Sequence, residues 1–152
     1  MTDPLTFADS SPRWSLPLLF AGQAQKEIFV NEALARLDAL LHAVVEGEAA
    51  TPPASPVEGE AWIVGSGASG AWLGQDGTLA CRQSGQWLFL APTEGMLAFD
   101  RGAGQRRLFS GGWSAAPTVP AATGGTTIDT EARAAIGAIV AALSHYGLIS
   151  ES

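Results

Sequence analysis

Cysteine occurs once in this chain of 152 residues, at Cys81, and histidine twice, at His42 and His145. One cysteine excludes an internal disulfide framework and a zinc site built from thiolates. The two histidines stand far apart in sequence and form no His-x-x-x-His pair, so both read as structural, and no metal or cofactor is expected. Charge is scarce as well. Asp, Glu, Lys and Arg make up 15% of the chain, against about 25% in an average soluble domain. A surface so poor in charge points to faces buried against other chains. The charge present is mostly acidic, a net −7, which speaks against a phosphate-binding surface and therefore against nucleic acid as a partner. Long apolar runs are missing too: none approaches the ~20 residues that cross a bilayer. The stretch Leu16–Ala21 is short, contains Pro17 and has little positive charge before it, unlike a secretory signal. The expectation is synthesis in the cytoplasm without membrane insertion.

What is present is architecture. Residues 1–20 combine Pro4, Pro12 and Pro17 with Phe7, Trp14, Leu16, Leu18, Leu19 and Phe20. Such a density of large apolar side chains does not suit a solvated tail, so an extended arm lying on its own domain or on a neighbour is predicted. From Gln23 to about Glu46 the pattern is helical. Val30, Leu34, Leu37, Leu41 and Val44 step by 4, 3, 4, 3 along one face, with Glu27, Asn31, Arg36 and Asp38 opposite. Within the segment 21–50 this helix gives way after Gly47 to a linker that continues through the stiff run Thr51–Pro56.

Residues 57–116 change character. Strand-like runs at Glu60–Val64, Ala71–Leu73, Leu79–Gln83, Trp87–Ala91, Met96–Asp100 and Gln105–Phe109 are separated by short turns bearing glycine. They predict a small antiparallel meander, barrel or sandwich, rich in tryptophan. Trp87–Ala91 is apolar on both faces and reads as a central or interface strand. Residues 117–127 form a Pro/Gly linker. Residues 128–149 form a C-terminal amphipathic helix, with Asp129 as N-cap, Glu131 in its first turn and Gly147 at its end. Ala132, Ile136, Ile139, Leu143 and Tyr146 again step by 4, 3, 4, 3. The fold class is α+β.

Chemistry is hard to find. Gly65–Gly70 matches G-x-G-x-x-G after a strand, but another strand, not a helix, is expected behind it, so a pyrophosphate has no helix N-terminus to meet. No G-x-S-x-G elbow exists. Glu58, Glu60, Asp76, Glu94 and Asp100 fall at turns or strand ends, where turn formation accounts for them without a glycosidase pair. Cys81 reads as a small buried apolar residue. Trp62, Trp72 and Trp87 read as core. Trp113 and Trp14 are the tryptophans open to partner contact, and Trp113 is the candidate glycan contact. Both helical stripes are flanked by linkers, which frees them to meet copies of themselves in a ring or bundle. The candidate interface residues are Trp14, Phe20, Gln23, Gln25, Lys26, Val30, Leu34, Leu37, Leu41, Ile136, Ile139 and Leu143. The polar cluster Gln23–Glu27 is suited to setting helix register or contacting a neighbouring subunit through amide hydrogen bonds.

The segments Gly22-Gln23-Ala24-Gln25-Lys26-Glu27, Asn31-Glu32-Ala33, Pro52-Pro53-Ala54-Ser55-Pro56, Gly59–Val64 and Gly70-Ala71-Trp72 resemble a family of unknown biochemical function found in alphaproteobacterial prophages and gene transfer agents. The resemblance spans roughly residues 12–113, and the C-terminal tail is similar to that of short members. It implies a structural virion protein, not an enzyme: a homo-oligomeric head-spike base or fibre adaptor, pentamer or trimer. Its implied partners are a capsid protein, a spike fibre protein and host capsular polysaccharide, and its implied location is the particle surface. A glycan-binding module using the tryptophans of the β domain is the other reading. No catalytic, cofactor or metal residues carry over.

Overall fold

The computed structural model describes residues 11–13, 16, 18, 26–121 and 123–149. Trp14, Phe20, Gln23 and Gln25 lie outside them, as does the side chain of Lys26. Helix α1 spans Lys26–Leu40, followed by strands β1 (Val44–Val45), β2 (Glu48–Ala49), β3 (Ala61–Val64), β4 (Leu79–Gln83), β5 (Gln86–Leu90), β6 (Leu97–Asp100), β7 (Gln105–Phe109) and β8 (Trp113–Ala115), and then helix α2 (Thr130–His145). The fold is α+β. The strands form two four-stranded mixed sheets, ordered β1-β6-β7-β8 and β2-β3-β4-β5, and neither closes into a barrel.

The predicted antiparallel pairing is present for β3–β4, β4–β5 and β6–β7, the last two across tight turns, but β5 and β6 lie in different sheets, so the meander is broken between them. The β4–β5 pair runs in full register from Leu79↔Leu90 to Gln83↔Gln86, across a turn at Ser84-Gly85 in which both residues have positive φ. Periodicity does not expose the two parallel pairs, β1 with β6 and β2 with β3. Their short strands come from the segment read as helix end and linker. Between them the chain crosses from one sheet to the other: Glu46 N–H donates to Ala61 O, and Ile63 N–H donates to Gly47 O. Two further expectations are corrected. Ala71–Leu73 is not a strand, because Gly70–Trp72 forms a single 3-10 turn. Trp87–Leu90 lies in β5 at the edge of its sheet, which removes the central-strand alternative and leaves the interface alternative standing.

The larger part of the core lies between the sheets. Val45, Ala61, Ile63, Leu79, Cys81, Leu88, Leu90 and Ala98 meet there, joined by Ala35 and Ala39 of α1. A second cluster covers the opposite face of β4, where Trp72 packs with Val64, Ala68 and Ala80 against the half-buried Trp62, Trp87 and Phe89. The sheet β2-β3-β4-β5 is therefore covered on both sides, and the segment 65–75 forms the outer cover.

Helix α1 stops earlier than its hydrophobic pattern does. The Arg13 guanidinium donates to the carbonyls of Asp38 (2.9 Å), Ala39 (2.8 Å) and His42 (2.9 Å). The first two are carbonyls that the end of a helix leaves without an internal partner, and the third belongs to the turn that follows. His42, at φ 49°, turns the chain into β1, so Val44 and Val45 belong to a strand.

The helix also presents a different face from the one its large residues suggest. Asn31, Ala35, Asp38 and Ala39 are buried, whereas Val30, Leu37 and Leu41 are exposed and Leu34 is half-buried. The helix meets the core through the small side chains of Ala35 and Ala39. A buried polar cluster then locks it in place. Asp38 accepts from Ser11 Oγ (2.5 Å), from Arg13 N–H (3.2 Å) and from the Gln83 amide (3.2 Å).

Candidate functional site

The acidic residues singled out from the sequence are engaged in holding turns. Asp76 accepts from the Gly67 and Ala68 N–H groups at 2.9 and 3.0 Å, and these backbone hydrogen bonds hold its carboxyl below the ordinary carboxylate range. The glycine-rich segment is thus bound to its own domain's carboxylate through amides that a nucleotide loop would offer to phosphate. Glu94 accepts from Ser110 Oγ and from Gly111 N–H. Asp100 is buried, accepts from Ala103 N–H and forms an ion pair with Arg107 at 2.9 Å. Glu58 accepts from Gly85 N–H at 2.7 Å, and Glu60 accepts from Val57 N–H at 2.9 Å.

An open polar cleft of about 260 Å³ lies between β1 with the following Glu46 and the segment 57–60. Arg13, Glu46, Glu58, Glu60 and Arg101 line it. Glu46 and Arg101 pair across it at 2.6 Å, so its charges are largely spent on one another and on turn amides. Among the described residues, no group of three or more His, Cys, Asp and Glu side chains is placed to hold a metal ion.

Cys81 is fully buried in the core between the sheets, and burial pushes its thiol up to about 11. The nucleophilic form of a cysteine is the thiolate. Cys81 in the native protein is therefore expected to stay inert to a disulfide reagent at pH 8 and to react stoichiometrically once urea unfolds the chain. Rapid labelling of the folded protein, timed by absorbance, would contradict this placement.

Trp113 is half-buried and held in place on one side. Its indole N–H donates to Gly77 O at 2.9 Å, its ring meets Phe109 edge-on with centroids 5.4 Å apart, and it packs against the core. This hydrogen bond ties β8 to the segment between β3 and β4 in the other sheet, a role that the sequence did not disclose.

The exposed surface carries the strongest feature. Ile28, Phe29, Val30, Leu37 and Leu40 of α1, with Leu41 just beyond it, all face solvent, Phe29 with 76% of its surface accessible. Ile136, Ile139 and Leu143 of α2 and its C-cap Tyr146 do likewise, and no residue of α2 is buried. On the sheet β1-β6-β7-β8, Leu97, Phe99 and Leu108 are exposed on the outer face, with Leu97 directly opposite Leu108. Single exposed apolar residues are ordinary, but contiguous sets of them mark interaction sites. Of the interface candidates from the sequence, the structure leaves Val30, Leu37, Leu41, Ile136, Ile139 and Leu143 open to a partner. It half-covers Leu34.

These features define a small α+β domain of two mixed sheets, with a filled core, engaged carboxylates and two helices whose large apolar side chains are uncovered. Residues 30–114 match the family described as "Protein of unknown function (DUF2793)", and the chain belongs to that family. The match takes in most of α1 and the strands β1 to β7 and ends within β8; α2 lies beyond it. No curated protein matches the chain. No described helix is long and apolar enough to cross a membrane.

Proposed function

We propose that this protein is a structural component of a phage-like particle, a homo-oligomeric base or adaptor that joins a capsid to a fibre. The observation that carries this reading is the inverted packing of the helices. The core of the domain is filled by strands and by the small face of α1, while the ridges of Val30, Leu37 and Leu41 and of Ile136, Ile139 and Leu143 remain outside. Apolar area left in water costs roughly 25 cal/mol per Å², so ridges of this kind fit a chain that works as part of an assembly. The low charge fraction and the sequence resemblance favour the same reading, as does the use of the acidic side chains to hold turns.

The experiment is purification of particles from producing cells with and without the gene. The protein is expected to co-purify with particles through a density gradient. Its deletion is expected to strip surface projections seen by electron microscopy while capsids still form. A protein that remains in the soluble fraction, free of particles, would overturn the proposal.

A further inference from the structure

The strands hold one unit twice. Pro56-Val57-Glu58-Gly59 leads into β3, and Pro92-Thr93-Glu94-Gly95 leads into β6. Ser84-Gly85-Gln86-Trp87 joins β4 to β5, and Ser110-Gly111-Gly112-Trp113 joins β7 to β8. Equivalent residues make equivalent bonds. Glu58 accepts from Gly85 N–H, and Glu94 accepts from Gly111 N–H. Gly59 N–H donates to Arg82 O and Arg82 N–H to Glu60 O; Gly95 N–H donates to Phe109 O and Phe109 N–H to Met96 O. Each unit also takes on one short parallel strand, β2 beside β3 and β1 beside β6. Trp87 and Trp113 hold the same place, the first beside the Arg82 guanidinium and the second against Phe109.

Side chains alternate across a strand, so each unit has two faces. The front of the first unit, Ala61, Ile63, Leu79, Cys81 and Leu88, faces the core between the sheets. Register places Leu97, Phe99, Arg106, Leu108 and Ser114 at the same positions of the second unit, and all five are exposed. The second unit instead turns its back inward, with Ala98 and Trp113. The units therefore stack front to back, a heterologous contact that leaves a front unfilled at one end. At the other end the back of the first unit, Trp62, Ala80, Trp87 and Phe89, packs under Ala68 and Trp72. Stacked repeats hold their ends with caps; here one end is capped and the other is not. Gly147 lies against the edge of the Phe99 ring at one border of the open front, while Leu97 and Leu108 remain 51% and 41% exposed.

We propose that this open front, centred on Leu97, Phe99 and Leu108, is the docking surface for a β-sheet of another polypeptide, which seats on it as the back of the second unit seats on the front of the first. This rests on the adaptor reading above and adds a surface and a kind of partner to it. The stack within the chain defines what fits: a sheet face of small apolar residues with an aromatic at its edge, as Ala98 and Trp113 provide. A second copy of this chain does not offer such a face, because both of its backs are covered, one by the segment 65–75 and one by its own first unit. The open front is about 19 Å across four strands and about 15 Å along them, roughly 300 Å². A free-standing complex needs about 800 Å² per partner. The contact therefore belongs inside an assembly, where further contacts hold both chains in place.

The test uses purified particles carrying the full chain with a benzophenone photo-crosslinker at Leu108, or at Leu73 as control. Leu73 is 75% exposed on the cover at the opposite end. Irradiation and peptide sequencing are expected to join Leu108 to a strand of a different polypeptide, and Leu73 not to that strand. Leu108→Asp, at an exposed strand position, is expected to keep the near-ultraviolet dichroism of the wild type and to lose that polypeptide from the particle. Links from Leu108 to another copy of this chain, to a helix or to nothing would overturn the docking surface while leaving the adaptor in place. A folded Leu108→Asp variant whose particles keep their composition would do the same. A protein absent from particles would overturn both readings.

Discussion

Asp38→Ala is expected to lower the unfolding free energy by about 3–4 kcal/mol, the cost of leaving several buried polar partners unpaired. The carboxylate is 0% exposed and gathers Ser11, the Arg13 backbone and Gln83. Ser11 and Gln83 are themselves buried, at 3% and 1% exposure, so the substitution takes the carboxylate acceptor from a hydroxyl and an amide that are left with Leu16 N–H and the weak acceptor Cys81 Sγ. Apolar burial cannot hold α1 in its place. The helix touches the core through Ala35 and Ala39, and each alanine methyl contributes only about 0.8 kcal/mol. The polar cluster therefore decides where α1 docks.

Urea unfolding supplies the measurement, and Arg36→Ala supplies the scale. Arg36 pairs with Glu32 one turn away at 2.8 Å, with both side chains nearly half exposed. Losing such a pair is expected to cost under ~0.5 kcal/mol. Hydrogen exchange adds a second readout, because Asp38→Ala should expose the amides of 26–40 ahead of the strands. Equal midpoints for the two variants would show that the cluster does not dock the helix.

Trp72→Ala is expected to cost about 3–5 kcal/mol, the range for truncating a large buried aromatic. Trp72 is 0% exposed and meets Trp87 edge-on, with centroids 5.1 Å apart and planes at 82°. It is delivered by the 3-10 turn Gly70–Trp72, in a segment that Asp76 pins through the Gly67 and Ala68 amides. Truncation would open a cavity lined by Val64, Ala68 and Ala80 and release the outer cover of the sheet. Trp72→Phe keeps most of the ring volume and is expected to recover more than half of the loss. Its indole N–H has no hydrogen-bond partner, so phenylalanine forfeits packing alone. A Trp72→Ala variant within 1 kcal/mol of wild type, on the scale of a surface change, would mean that this cover is not part of the stabilising core.

The sequence marked the elements whose information is local. Two-residue periodicity and glycine turns located β3 to β7 closely, and Asp129 caps α2 as predicted, accepting from Ala132 N–H at 2.8 Å. Gly147 likewise ends that helix in the left-handed region. The Asp76 turn was legible as an Asp-Gly pair, although its grip on Gly67 nine residues away was not.

Amino-acid order alone located the two helices and the strands β3 to β7, and showed that both helices carry oily ridges and that no catalytic motif is spelled out. Tertiary structure decided which way those ridges face. On α1 the spacing of large residues described a stripe destined for burial, but Asp38 and Asn31 went inward with the alanines, because Ser11 and Gln83 wait there to satisfy the carboxylate. Those partners lie 27 and 45 residues from Asp38 along the chain, beyond the reach of any helical period. Parallel pairing of β1 and β2 is hidden for a related reason: two-residue strands carry too little pattern to be seen until the sheets that recruit them exist.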